Sequence, residues 1–203
     1  IKGGDAIEVK KIQSLNANIA LNSSYTKSTI RSKSTLIAKG CRDCETWTER
    51  DIIYVMGNKS DTVIKSLWIV YGSIYAAEHE TYELIKNIIK TGVNAIPNVD
   101  FADTKELGGV KKVDPLGITN LRIRGMWHIQ NPTKVFNYLH SKSDKDFELV
   151  CILPVTKYNS FPIESRTKLE KLSKVGYRMS EVQVRDPNNP ANLIDCKLIT
   201  FCF

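Results

Sequence analysis

The segment Asp5-Ala6-Ile7-Glu8-Val9-Lys10 carries the side chains whose types and spacing could do chemistry. It alternates and is rich in β-branched residues, so Asp5 to Ile12 reads as a strand entered from a tight Gly3-Gly4 turn, as in a hairpin. Side chains on a strand repeat every two residues. Glu8 and Lys10 therefore share one face with Ala6, while Asp5, Ile7 and Val9 share the other. A carboxylate beside an amine can hold a hard cation through oxygen and place positive charge at the same reacting centre. As a bare pattern E-x-K equally describes a surface salt bridge. No Ser/His/Asp or Cys/His arrangement for covalent catalysis is visible.

The chain beyond this strand gives the pattern weight. Between Val9 and Arg42 stand Lys10, Lys11, Lys27, Arg31, Lys33, Lys39 and Arg42, with no acid among them. Those seven cations equal the formal net charge of the chain, +7. A local field of that sign favours a polyanion such as nucleic acid. The alternative is a solvated basic face without a partner.

The 203 residues suffice for one sizeable α/β domain, so the core needs no disulfide or metal staple. Ordinary apolar and charged fractions, 42% and 25%, exclude collagen-like and wholly disordered chains. No apolar run approaches the roughly 20 residues of a membrane span, and no signal peptide is visible. The five cysteines, Cys41, Cys44, Cys151, Cys196 and Cys202, read as reduced thiols of a cytoplasmic protein. Cys41 and Cys44 have the spacing of half a zinc knuckle, but no second half accompanies them.

The rest of the chain reads as elements that must position the first strand. Residues 13–35 are polar and aperiodic and are expected to form a long loop. The apolar runs Ile52–Met56, ended by Gly57-Asn58, and Val63–Tyr71 are expected as buried strands. Glu78–Lys90 has helical periodicity, with Gly92 at its stop. Strands are expected over Leu107–Lys112 and Ile118–Trp127 around the Asp114–Gly117 turn, and over Leu149–Val155. Helices are expected from Asn131-Pro132 to Leu139 and over Glu164–Val175. A hairpin closes the chain, Glu181–Arg185 then Leu193–Phe203. The fold class expected is α/β, with a mixed β-sheet flanked by helices, and a single domain spanning 1–203.

Several segments in one order carry a resemblance. They are Gly4 to Ser14, Leu21-Asn22-Ser23-Ser24-Tyr25, Cys41-Arg42-Asp43-Cys44-Glu45, Lys65 to Gly72, Lys105 to Gly108, Asp114 to Thr119 and Leu121 to Trp127. Together they resemble the NgoPII family of type II restriction endonucleases. The resemblance implies a PD-(D/E)XK core, Mg²⁺ dependence, a homodimer and cleavage of double-stranded DNA at the palindrome GGCC. Glu8 and Lys10 match the second half of the nuclease signature, with Glu8 the metal ligand. The first half, a Pro-Asp on a preceding strand, has no counterpart here, and Asp5 points to the wrong face. The natural protein is therefore expected to extend upstream of Ile1, and residues 1–203 alone to cleave poorly while still binding DNA.

Asn22, Ser23, Ser24 and Lys27 have side chains that reach base edges and phosphates. Arg31, Lys33, Arg122 and Arg124 are candidate donors to guanine. Arg122 and Arg124, alternating with Leu121 and Ile123, are expected on one strand face. Trp68 and Trp127 read as core rather than stacking platforms. Two rival readings stand: another E-x-K nuclease, for repair or junction resolution, and a DNA-binding module without chemistry.

Overall fold

A computed structural model describes residues 4–13, 17–22, 26–34, 37, 39–43, 45–60, 62–97, 100–101, 107–141 and 144–203. The first half contains β1 (Ala6–Ile12), β2 (Ile19–Asn22), β3 (Thr29–Arg31), α1 (Lys39–Asp43), β4 (Glu49–Ser60), β5 (Val63–Tyr71) and α2 (His79–Asn94). The second half contains β6 (Asp100–Phe101), β7 (Gly108–Lys111), β8 (Leu121–Ile123), β9 (Met126–Ile129), α3 (Pro132–Val135), β10 (Glu148–Pro154), α4 (Val155–Asn159), α5 (Ile163–Glu170), β11 (Tyr177–Arg185) and β12 (Leu193–Cys202). The class is mixed α/β, as expected, with few helices.

The central sheet runs β1-β4-β5-β10-β12-β11, with β3 also paired to β4. It is mixed: β1·β4 and β5·β10 are parallel, whereas β4·β5, β10·β12 and β11·β12 are antiparallel. The apolar alternation builds its main buried face. Ile52, Tyr54 and Met56 of β4 line up with Trp68 and Val70 of β5 and with Val150 and Ile152 of β10, all at most 6% exposed. The segment around α3 covers this face through Phe136, which packs on Tyr75. The Asn131 side chain caps α3 by accepting from the Thr133 amide, with Pro132 at the first helical position.

Several expected boundaries are corrected. The polar segment 13–35 is not one loop. It contributes β2, paired antiparallel to β9, and β3, paired antiparallel to β4. Strand β4 does not end at Gly57-Asn58 but runs through both, because Asn58 is 3% exposed and its side chain bonds Ser66 and Asn131. Helix α2 passes Gly92 and continues to Asn94. The strand expected over 118–127 is two strands, β8 and β9, which pair in different sheets. Helix α3 stops at Val135 and α5 at Glu170, leaving Val175 98% exposed. Helix α4 had no sequence signal that separated it from the strand before it. The closing hairpin is present, with β11 starting earlier, at Tyr177.

Gly176 enters β11 at φ +85°, and a Cβ there would sit 1.9 Å from the Cys202 carbonyl oxygen. Gly176→Ala is expected to cost about 2–3 kcal/mol, lowering Tm by roughly 4–12 °C for a chain of this size. A thermal melt unchanged within a degree would contradict that reading of the turn.

Candidate active site

Strand β1 lies at the end of the central sheet and pairs in parallel with β4 alone among the described residues. Its burial alternates as the sequence demands: Ile7 and Val9 are 63% and 68% exposed on one face, and Glu8 and Lys10 are half-buried on the other. Lys10 Nζ lies 2.8 Å from Glu8 Oε1. The register sets Glu8 beside Tyr54 and Lys10 beside Met56, so the pair stands at the margin of the main buried face.

A third polar group joins them. Lys27 lies between β2 and β3, and its backbone is clamped by Tyr54. The Lys27 amide donates to the Tyr54 hydroxyl at 2.7 Å, and that hydroxyl donates to the Lys27 carbonyl at 3.0 Å. Burial drives the Lys27 ammonium below its ordinary pKa; Glu8 opposes that shift and Lys10 adds to it, which places both charges close by. Burial also raises the Tyr54 phenol above its ordinary value, so it stays protonated and can serve as the clamp. The Tyr54 ring meets Tyr75 edge-on, with centroids 5.4 Å apart.

Close backbone approach holds the Lys27 segment in place. A Cβ on Gly72 would lie 2.4 Å from the Ser28 carbonyl oxygen and 2.6 Å from that of Lys27. Only glycine lets the end of β5 come so near. Next to Lys27, Thr26 donates its hydroxyl to that of Tyr82 on α2, which also stacks edge-on against Trp127. Tyr54 escaped the sequence reading. Its signal was a phenol within the apolar run 52–56, where a buried hydroxyl must find a partner.

Asp5 faces the opposite side, as expected. Its carboxylate accepts from the Tyr71 hydroxyl at 2.9 Å and from Lys157 Nζ at 2.7 Å, and Lys157 also donates to Asp51 at 2.6 Å. Burial works against the Lys157 charge, but its bonds to Asp5 and Asp51 outweigh it and raise the pKa. Asp5, Asp51 and Lys157, with Thr29, Glu49 and Arg50, line a cleft of about 360 Å³, in which Lys157 already engages two carboxylates.

The remaining candidates are scattered. Arg31 is held by protein carboxylates, 2.9 Å from Glu80 and 3.8 Å from Glu49. Lys33 is exposed just beyond β3. Asn22 ends β2 opposite Met126, with its side chain outside the described residues, as are Ser23, Ser24 and Cys44. Arg122 lies on β8 opposite Gly109, but Arg124 falls past the end of that strand. The expectation that both arginines project from one strand face is thus corrected, because β8 ends at Ile123 and the next strand, β9, pairs in a different sheet. Trp68, 1% exposed, is core as expected.

A mixed sheet with a carboxylate–lysine pair on its terminal strand and a basic segment folded against it is compatible with a restriction endonuclease, a site-specific deoxyribonuclease. The sequence model of the NgoPII restriction endonuclease family matches residues 1–185, and the chain belongs to that family. It is 45% identical to the type II restriction enzyme NgoPII of Neisseria gonorrhoeae over 204 positions, covering 99% of this chain and 72% of that enzyme. No solved structure matches the chain.

Proposed function

We propose that the protein is a Mg²⁺-dependent type II restriction endonuclease that hydrolyses both strands of duplex DNA at GGCC, with Glu8 and Lys10 as the E-x-K half of a PD-(D/E)XK site. The observation that carries this is the Glu8–Lys10 pair on one face of a terminal strand, with the partly buried Lys27 ammonium feeling both charges, in a chain of this family. The sequence GGCC and the homodimer rest on the family resemblance. A palindrome presents the same phosphate on each strand, so two copies related by a two-fold axis would bring one Glu8 to each.

The donor set fits a hard cation that takes few ligands from the protein itself. Mg²⁺ takes oxygen ligands and commonly uses one or two carboxylates, completed by water and substrate phosphate. Glu8 offers one carboxylate, 38% exposed. When bound, the ion supplies charge neutralisation at the phosphate and a bound water of lowered pKa. Lys10 Nζ stands 2.8 Å from Glu8, where it can orient water or steady a phosphate oxygen. Lys27 presents a second ammonium, partly stripped of solvent, whose attraction to a phosphate is stronger for that reason. Burial, which lowers the Lys27 pKa, also lets that side chain give up a proton more readily than an exposed lysine.

A digest of a sequenced plasmid tests the proposal. Discrete fragments ending at GGCC in Mg²⁺, and none in EDTA, support it. Random nicking would favour another E-x-K nuclease, and binding without cleavage by the full-length natural protein would favour a silent DNA-binding module.

The basic segment makes a separate prediction. Each phosphate contact contributes roughly 0.9 to the slope of log K against log salt. Lys33→Ala should flatten that slope by about 0.9. Arg31→Ala should flatten it less, because Glu80 and Glu49 already neutralise that side chain. Equal effects of the two variants in a salt titration of binding would show that Arg31 leaves its carboxylates for DNA.

A further inference from the structure

Away from Glu8, the main buried face carries a row of polar residues where apolar ones would be expected. The register across the sheet puts Asn58 beside Ser66, Ser66 beside Glu148, and Glu148 beside Cys202. One end of the row is closed by hydrogen bonds: Asn131 donates to Asn58 and Asn58 to Ser66, each at 2.9 Å, with all three at most 3% exposed. The other end is different. Glu148 is a carboxylate 5% exposed, and it meets His140 Nε2 at 3.2 Å. The Cys202 sulfur, a His140 ring nitrogen and a Glu148 oxygen all lie within 4.8 Å of one another. The His140 ring is held edge-on by Trp68, with centroids 6.1 Å apart.

We propose that His140, Glu148 and Cys202 form a zinc site that fastens the end of β12 and the segment after α3 to the start of β10. The donor chemistry selects the metal. Thiolate and imidazole suit zinc and are poor ligands for Mg²⁺ or Ca²⁺. Two tetrahedral ligands at the usual zinc distances stand about 3.3 Å apart, close to the 3.2 Å between His140 and Glu148. The sulfur needs a shift of about an ångström, within reach of a side-chain rotation. Three protein ligands leave the fourth position to water. On binding, the Cys202 S–H bond breaks, sulfur forms the bond to zinc and the proton leaves to solvent. The bound unit is then neutral, because one carboxylate and one thiolate balance the dication, and that removes the cost of a buried carboxylate. Cys151 and Cys196 do not belong to this cluster of ligand atoms. Strand spacing and rise put Glu148 roughly 20 Å from Glu8, so the site is separate from the candidate active site.

The test uses the full chain, purified without chelator or metal-affinity tag. Elemental analysis should find about one zinc per chain, retained in Glu8→Ala. After chelator treatment, Co²⁺ alone serves as the probe. It should give a thiolate-to-cobalt charge-transfer band and tetrahedral visible bands. Cys202→Ser should lose the charge-transfer band while keeping its far-ultraviolet dichroism. His140→Gln should keep the band with Co²⁺ affinity lower by at least about tenfold, since losing a ligand exceeds the loss of an outer hydrogen bond. A preparation free of zinc, a Co²⁺ titration without the band, or a band that survives in Cys202→Ser would each overturn the proposal. Should Cys202→Ser fail to fold, unaltered Co²⁺ affinity in His140→Gln would do the same.

Discussion

If Glu8 holds the metal as proposed, Glu8→Ala is expected to cut DNA at least about 10³-fold more slowly than the parent, because such an ion would supply several kcal/mol of charge stabilisation in the transition state and each 1.36 kcal/mol is tenfold. Binding should survive. Glu8 is the negative member of a cluster otherwise made of Lys10 and Lys27, and removing it leaves a more positive surface for the phosphates. Binding measured in Ca²⁺ or EDTA should therefore be as tight as the parent's, or tighter. A variant that turns over normally would remove Glu8 from the mechanism. A variant that loses binding and cleavage together would make Glu8 a folding residue.

Lys27→Met should separate stability from activity. Burial lowers the Lys27 pKa in the folded chain below the ordinary value of 10.5. The unfolded chain therefore holds that proton more tightly than the folded one, and the penalty on folding is fully present at pH below the folded pKa. It fades as pH rises through the folded value towards 10.5 and is gone above it. Methionine keeps the stem and removes the charge. The variant should melt higher than the parent at pH 7, with a gap that narrows near about pH 10. Its cleavage at pH 7 should fall on the order of 10²-fold, the scale of losing one preorganised donor to a developing oxyanion. Cleavage unchanged in single turnover would place Lys27 away from the scissile phosphate. A lower melting point at neutral pH would mean that the ammonium is held by stronger partners than its burial implies.

Much of the site was legible because a strand needs only alternation. Glu8 and Lys10 share a face, and Asp5 is turned away towards Tyr71 and Lys157, as period two requires. The clamp on Lys27 was not legible. Nothing local to residue 27 announces that a phenol 27 positions later will bridge its amide and carbonyl, or that Gly72 will come against the same peptide. The helical face of α2 was read from its period as Tyr82, Ile85 and Ile89 with Leu84 and Ile88 beside them, yet Ile85 is 41% exposed and Leu84 and Ile88 are 61% and 62% exposed. Periodicity reports that a stripe exists and leaves open what covers it.

The sequence by itself determined those features that depend on neighbouring residues along one chain segment. These are the alternating strand carrying E-x-K, the acid-free basic run, the Asp114 turn and the closing hairpin. The Asp114 carboxylate does accept from the amides of Leu116, Ile118 and Thr119, a contact that spans only five residues. Only the tertiary structure decided where elements end and what meets across the sheet. Strand β4 runs through Gly57-Asn58 because the Asn58 amide finds Ser66 and Asn131, the latter 73 residues away. Arg31, a free cation in the sequence, is engaged by Glu80 and Glu49 because β3 docks on β4 near the start of α2. Local backbone preferences amount to tenths of a kcal/mol per residue. An unmet buried hydrogen bond costs about 1–3 kcal/mol, so partners distant in sequence override the local signal wherever the two compete.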